Sequence, residues 1–369
     1  MRIIIDINHP AHVHYFRNFI RIMEERGHSF RVINRDSKMI NYLLDSYGIA
    51  HVVRNPRPGK KGTFSSLRNL MVMVRYCIRE SRAFRPDLYL GFGSSACAIT
   101  SFLFRKPCVL LDDTEHNTMN HRLYKPFANR VLTPFYFKKS LWKKPSGRII
   151  SEEGRLGEDS SMQLTFNAYV EQLYLHSNYF AADANLPAAL GLEQGKYVLV
   201  RYIAYDAHHD LSVNALDPDA KKRLVNYLAG KYRVVLSLES EEDRKDPDFA
   251  PFLLDFPPDR IHDIMAGAAF VLTEGATMAS EAFVLGVPYI YMNPLEVGNV
   301  DSQCGVFPDQ AHKSSSEAGI MECIGQIESV LASGSDVFGD NRRSLIERNH
   351  TDPTRLLVDY VESNYGAAR

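Results

Sequence analysis

Three histidines, His9, His12 and His14, crowd the seam between a β-branched run at residues 2–7 and the helix that Pro10 opens. A neutral imidazole titrating near pH 7 suits the removal of a proton from a hydroxyl nucleophile. At a helix N-terminus the macrodipole disfavours imidazolium, which helps keep such a ring neutral and basic. Asp6, which ends the run, could orient an imidazole, although an Asp at the end of a strand also caps turns. The histidines could equally cap the helix and bond backbone carbonyls.

The sharpest pattern lies far downstream. Residues 273–282 read TEGATMASEA and are followed by Leu285, Gly286, Val287 and Pro288, so that a strand meets a helix through a turn of small residues. Amides exposed at Gly275, Ala276, Thr277 and Met278 would bind phosphate through hydrogen bonds and the helix dipole. Glu281 falls about two turns into that helix, where a carboxylate could take both hydroxyls of a ribose. A tight packing turn followed by an exposed Glu has the same spacing.

Three further stretches carry weaker signals. Asp112, Asp113, Thr114, Glu115 and His116 invite a metal or paired-carboxylate reading, but the adjacent Asp pair lacks the D-x-D spacing. The stretch reads as a hydrogen-bonding surface or as a turn and helix cap. Gly91, Gly93, Ser94 and Ser95 make a glycine–serine turn without a complete G-x-G-x-x-G, so NAD is not inferred. Tyr205-Asp206-Ala207-His208-His209-Asp210 sets two His and two Asp in one turn. Asp206 and His208 could hold a phosphate or sugar hydroxyls, but adjacent side chains do not readily converge on one ion, and no metal site is expected.

The elements that position these residues follow from period and punctuation. Phe16, Phe19, Ile20 and Met23 recur at helical spacing, Gly27 stops that helix, and residues 30–33 begin a second strand. Strand, helix and strand make a βαβ unit with a parallel sheet. Further strands are expected at 87–91 and 107–111, then in the second half at 197–202, 234–238, 270–273 and 288–292. Helices are expected at 221–228 and 278–285. The length argues for two domains, each doubly wound, with ligands at the carboxyl ends of the strands. The division is placed at 1–182 and 183–349, with 350–369 a C-terminal helix that returns to the first domain.

In this frame the motifs resemble a known group. Residues 275–281, GATMASE, look like the donor-site segment of MurG-type glycosyltransferases. Ala11-His12-Val13 is similar to that group's Gly-His-Val turn. Glu115-His116-Asn117, with Asn120, Arg122 and Leu123, resembles its acceptor-domain Glu-Gln-Asn stretch, and Asp301-Ser302-Gln303 its Asp-x-Gln loop. The segments IDINHPAHVHYF, LLDDTEHN, RYIAYDAHHD and TEGATMASEAFVLGVP resemble domain-of-unknown-function family 354 more closely still. The resemblance implies the two-domain glycosyltransferase B fold shared with MurG and with UDP-N-acetylglucosamine 2-epimerases. Its two Rossmann-like domains would face a cleft. It implies a nucleotide-sugar donor, UDP-linked, on Gly275–Met278, Glu281, Asp301 and Gln303. His12 becomes the first choice of base and His14 the second. Gly93, Ser94, Asp113, Glu115 and Asn117 would lie on the acceptor side. The turn at 205–210 departs from the MurG pattern, which has Gly-Gly-Ser there.

Charge adds a partner. Residues 1–150 carry 26 Lys and Arg against 10 Asp and Glu, and the remainder 17 against 34, although the whole chain is at −1. From Arg54 to Arg85 the only acid is Glu80, and Leu67, Leu70, Met71, Val74, Cys77 and Ile78 share one helical face flanked by Arg68, Arg75, Arg79 and Arg82. Such a helix, with Arg57, Lys60 and Lys61 before it, fits docking on an anionic leaflet. Lys138, Lys139, Trp142, Lys143 and Lys144 could join it. A helix packed on the sheet with a solvated Arg face fits as well. No nucleic-acid module accompanies the charge. Five cysteines without a C-x-x-C pair, and no signal-peptide pattern, point to a cytoplasmic protein or one at the inner face of the membrane. The expected function is glycosyl transfer to a lipid-linked or cell-surface glycan without a cofactor. The alternatives are sugar-nucleotide 2-epimerisation and an inactive nucleotide-sugar-binding protein.

Overall fold

Seven parallel strands form the first sheet: β1 (Arg2–Ile7), β2 (Ser29–Arg35), β3 (His51–Arg54), β4 (Leu88–Phe92), β5 (Cys108–Leu111), β6 (Arg130–Pro134) and β7 (Gln163–Phe166). They lie in the order β3-β2-β1-β4-β5-β6-β7. Five more form the second sheet: β8 (Tyr197–Tyr202), β9 (Arg233–Leu238), β10 (Phe270–Thr273), β11 (Tyr289–Tyr291) and β12 (Ala311–Lys313), in the order β12-β11-β10-β8-β9. The coordinates are a computed structural model and describe residues 1–54, 63–139, 141, 162–204, 216–334 and 337–366. Both orders are doubly wound and reverse once, between β1 and β4 in the first sheet and between β8 and β10 in the second.

Parallel strands covered by helices on both faces are apolar throughout rather than alternating. Ile3, Ile4 and Ile5 of β1 and Val198, Leu199 and Val200 of β8 are fully buried. Ile4, Ile33, Cys77, Tyr89, Leu110 and Val131 pack together in the first core. Val198, Val200, Leu236, Phe270, Leu272 and Ile290 do so in the second. β3, β6, β7 and β12 were not expected from the sequence. Three of them have four residues or fewer, and β6 is cut by Pro134, so none offers a period to read.

The chain divides into a unit of residues 1–174 with 350–369 and a unit of residues 175–349. The break therefore precedes the expected 182/183 boundary. Residues 175–183 are tied to the second unit: Arg343 donates to the carbonyls of Leu175 (2.6 Å) and Phe180 (2.7 Å), and the Asp183 amide donates to Asp263 (2.8 Å). The helix Pro353–Tyr365 belongs with the first unit, where Thr354 donates to the Leu173 carbonyl at 2.6 Å and Glu362 meets Arg26 and His28.

The basic helix, Thr63–Phe84, buries Cys77 and packs Met73 and Val74 on the first core, with Arg68, Arg75, Arg79 and Arg82 exposed. Among the described residues no helix is long and apolar enough to cross a membrane. Asp206, His208 and the rest of their turn, Arg57, Lys60, Lys61, Trp142, Lys143 and Lys144 lie outside the described residues.

Candidate functional site

In the second unit, register brings Thr273 of β10 level with Arg201 of β8, so the small-residue turn emerges at the point where the sheet order reverses. Thr273 Oγ1 accepts the Gly275 amide at 3.0 Å, which folds the turn back on its own strand. Gly275 is the N-cap of the helix Ala276–Val284, and no side chain caps that helix. Its first-turn amides thus face outward from a helix end with a positive dipole.

Glu274, missed in the sequence, is buried and anchors the turn. It forms an ion pair with Lys221 at 2.9 Å and accepts the Ile203 amide at 2.9 Å, while Asn293 donates to its carbonyl at 3.1 Å. Its place directly before Gly275 was the available clue. Gly286 closes the far end of the helix at φ +77, where a Cβ would lie 2.1 Å from the Gly339 carbonyl oxygen, so only glycine fits.

Glu281 is buried one helix turn beyond Thr277, with His262 Nε2 at 3.0 Å from Oε1. His262 was likewise missed, because its partner is nineteen residues away in the sequence. Gln303 differs from expectation. It has no exposure, donates to Ser280 Oγ (2.7 Å) and accepts Tyr289 OH (2.7 Å), so its amide braces two elements rather than presenting itself to a ligand. Asp301 is half-buried and pairs with Lys313 at 2.5 Å.

The first unit carries a second constellation where its own sheet order reverses. Asp6 of β1 is level with Gly91 of β4. Asp6 was expected to orient a histidine. It is instead fully buried, accepts Ser94 Oγ (2.5 Å) and Asn8 Nδ2 (2.8 Å), and pairs with Arg54 at 3.2 Å. His9 caps the helix Pro10–Glu25 by accepting the Ala11 amide. His14 turns into the core, stacked on Tyr174 with its Nδ1 at 3.2 Å from Tyr47 OH, and does not line the cavity described next.

His12 packs with Phe92 and Tyr15, three rings in mutual contact, and lines a cavity of about 340 Å³ with Gly93, Ser94, Asp112 and Asn117 among others. Burial, with a smaller push from His9, lowers His12 to about 3. The ring is neutral at pH 7 because it is buried, and it is a much weaker base than an ordinary imidazole. Asp113 moves the other way. Burial and the adjacent Asp112 carboxylate raise it to about 7, and it accepts Thr114 Oγ1 at 2.9 Å. Glu115 is spent on structure, accepting the Lys138 amide while its carbonyl takes Lys139 Nζ. Gly93, at φ +53, allows Asn120 to approach and donate to its carbonyl at 2.5 Å.

Comparison with known proteins shows how far this architecture extends. The chain is 21% identical over 369 residues to an uncharacterised protein of Methanocaldococcus jannaschii, covering 97% of this chain and 96% of that protein. It is similar in fold to the UDP-GlcNAc 2-epimerase from Neisseria meningitidis bound to UDP-GlcNAc, with a TM-score of 0.66 at 11% identity over 99% of this chain and 100% of that one. It is also similar to spinosyn rhamnosyltransferase, with a TM-score of 0.57 at 12% identity over 99% of each chain. Two doubly wound parallel sheets and these likenesses make the fold a glycosyltransferase B-type architecture. A family described as "Protein of unknown function (DUF354)" matches residues 1–365, and the chain belongs to it.

Proposed function

We propose that the protein is a glycosyltransferase that moves a sugar from a UDP-linked donor to a hydroxyl of a lipid-linked or cell-surface glycan. The observation that carries this reading is the Gly275 turn at the sheet reversal of the second unit, which has no side-chain cap, with Glu281 of the helix it opens held by His262 of the helix Ile261–Ala266. Ligands in doubly wound sheets bind outside the carboxyl ends of strands at such a reversal. The diphosphate would accept the amides of Ala276, Thr277 and Met278, and Glu281 would take the ribose. Asp301 would exchange Lys313 for a donor-sugar hydroxyl. The amides and the helix dipole would then stabilise the charge that builds on the leaving diphosphate.

Acceptor recognition falls to the first unit, through Gly93, Ser94, Asn117 and Asp113. There His12 would accept a hydrogen bond from the attacking hydroxyl and take its proton late, as the new bond forms. Exposed Arg68, Arg75 and Arg82 with Met71 would hold the protein to an anionic leaflet at the inner face of the cell membrane, each charge contributing about 1 kcal/mol.

Sugar-nucleotide 2-epimerisation is the second reading. It is favoured by the likeness to an epimerase whose structure holds UDP-GlcNAc. One experiment separates the two. Purified protein is incubated with UDP-GlcNAc alone, and epimer formed without acceptor would establish the second reading and reject the first. Under the first, no epimer forms, Glu281→Ala weakens UDP binding by about tenfold or more, and His12→Ala keeps UDP binding but loses transfer.

A further inference from the structure

The first unit's cavity sits between the ends of β1, β4 and β5, at the sheet reversal, and its lining is chemically selective. Residues 1–150 carry 26 Lys and Arg, yet none of the described residues that line the cavity is cationic. The polar wall consists of amides and hydroxyls, among them Asn8, Asn69, Asn120 and Ser95, with Asp112 as its carboxylate. Asp112 is already engaged, accepting the Thr114 amide (2.9 Å) and Tyr124 OH (2.6 Å). Phe92, Met73 and Leu123 supply an apolar wall.

These groups are held in place before any ligand arrives. Ser95 donates to Asn120 Oδ1 at 2.5 Å, and Asn8 and Ser94 both rest on Asp6, whose own charge is met by Arg54 beneath. His12 also lines the cavity, and its sealed Nδ1 has no hydrogen-bond partner among the described residues. Amides and hydroxyls both donate and accept, which matches ligand hydroxyls, groups that do the same. An anion would meet the Asp112 carboxylate, whose basic neighbour is the buried ring of His121 (Nε2 at 3.4 Å), and would find no Lys or Arg among the described lining residues to hold it. At about 340 Å³ the space is at the small end for ligand sites, enough for one ring and little more.

We propose that this cavity binds a single uncharged saccharide ring, hydrogen-bonded on its edge by the Asn and Ser side chains and packed against Phe92 and Leu123, and that it rejects acidic and phosphorylated sugars. The ring would be the acceptor's, so the assignment rests on the reading given above. Saturation-transfer NMR on the full chain tests it. The probes are neutral methyl glycosides (glucoside, galactoside, mannoside and N-acetylglucosaminide), set against glucuronate and glucose 6-phosphate, with uridine as a nucleoside control.

At least one neutral glycoside should bind, and the two anionic sugars about tenfold more weakly or not at all. Leu123→Trp, which fills the cavity, should reduce glycoside binding by about tenfold or more. Asn69→Trp, on the facing helix, should do the same and covers the case in which the first variant does not fold. UDP binding is read in parallel on the wild type. Its failure alone would reject the donor reading and leave the cavity assignment standing. Absence of glycoside binding with UDP binding intact would overturn the cavity assignment. So would glucuronate, the phosphate or uridine competing as well as the glycosides, or indifference to both Trp variants.

Discussion

Burial acts with opposite sign on a base and on an acid, and His12 and Asp113 of the first unit show both effects. His12, lowered from 6.5 to about 3, stays neutral in the native state where the unfolded chain takes a proton. The stability it contributes is complete above pH 6.5 and is lost as pH falls towards 3. Asp113, raised from 3.8 to about 7, keeps a proton in the native state that the unfolded chain has released. Its contribution is complete below 3.8 and is lost as pH rises through 7. Urea unfolding of Asp113→Asn should therefore show a stability gain over wild type that grows from pH 5 to pH 8, reaching on the order of 1–2 kcal/mol. His12→Phe should instead flatten the acid side, between pH 6.5 and 4. Parallel wild-type and Asp113→Asn curves across pH 5–8 would contradict the burial argument. The sequence shows that His12 and Asp113 follow strands, but not these shifts, which depend on neighbours such as Phe92 and Tyr15 brought in by folding.

Each strand edge is set by a buried ion pair that fixes the loops leaving two adjacent strands. Lys221, on the helix Pro218–Ala229, reaches Glu274 after β10, and Glu274 also takes the amide of Ile203 after β8. Asp6 of β1 and Arg54 of β3 support Asn8 and Ser94 in the same manner. Removing one partner leaves a buried charge uncompensated, so Lys221→Met should cost about 3–5 kcal/mol. Lys221→Met with Glu274→Gln should recover a large part of that loss, as a double-mutant cycle by urea unfolding would show. Additive losses would mean that the two side chains act separately. Strands with continuous apolar runs, such as Ile3–Ile5 and Val198–Val200, are legible because parallel sheets bury both faces. The bracing pairs are not, since Lys221 and Glu274 are 53 residues apart and neither belongs to a local pattern. Gln303 shows the converse: a motif position can look like a ligand contact in the sequence and be absorbed by Ser280 and Tyr289 in the fold.

At the scale of the whole molecule, each doubly wound unit presents a candidate site at its own sheet reversal, the second a helix end without a side-chain cap and the first a cavity with no Lys or Arg among its described lining residues. The charge imbalance runs against that division. The basic half of the sequence carries the cavity whose described lining has no Lys or Arg, and the acidic half carries the turn proposed to hold phosphate. A nucleotide attracted by long-range charge alone would go to the first unit, and its binding would weaken steeply with salt. One held by directed amides and the helix dipole would go to the second and depend less on salt. Hydrogen exchange of the full chain with and without UDP distinguishes them. Protection is expected in the segment from Gly275 to Leu285, persisting at about 0.3 M salt, where the screening length is well under 10 Å. Protection confined to the Arg-rich helix Thr63–Phe84, vanishing at the same salt, would show that the second unit's turn serves packing and not anion recognition.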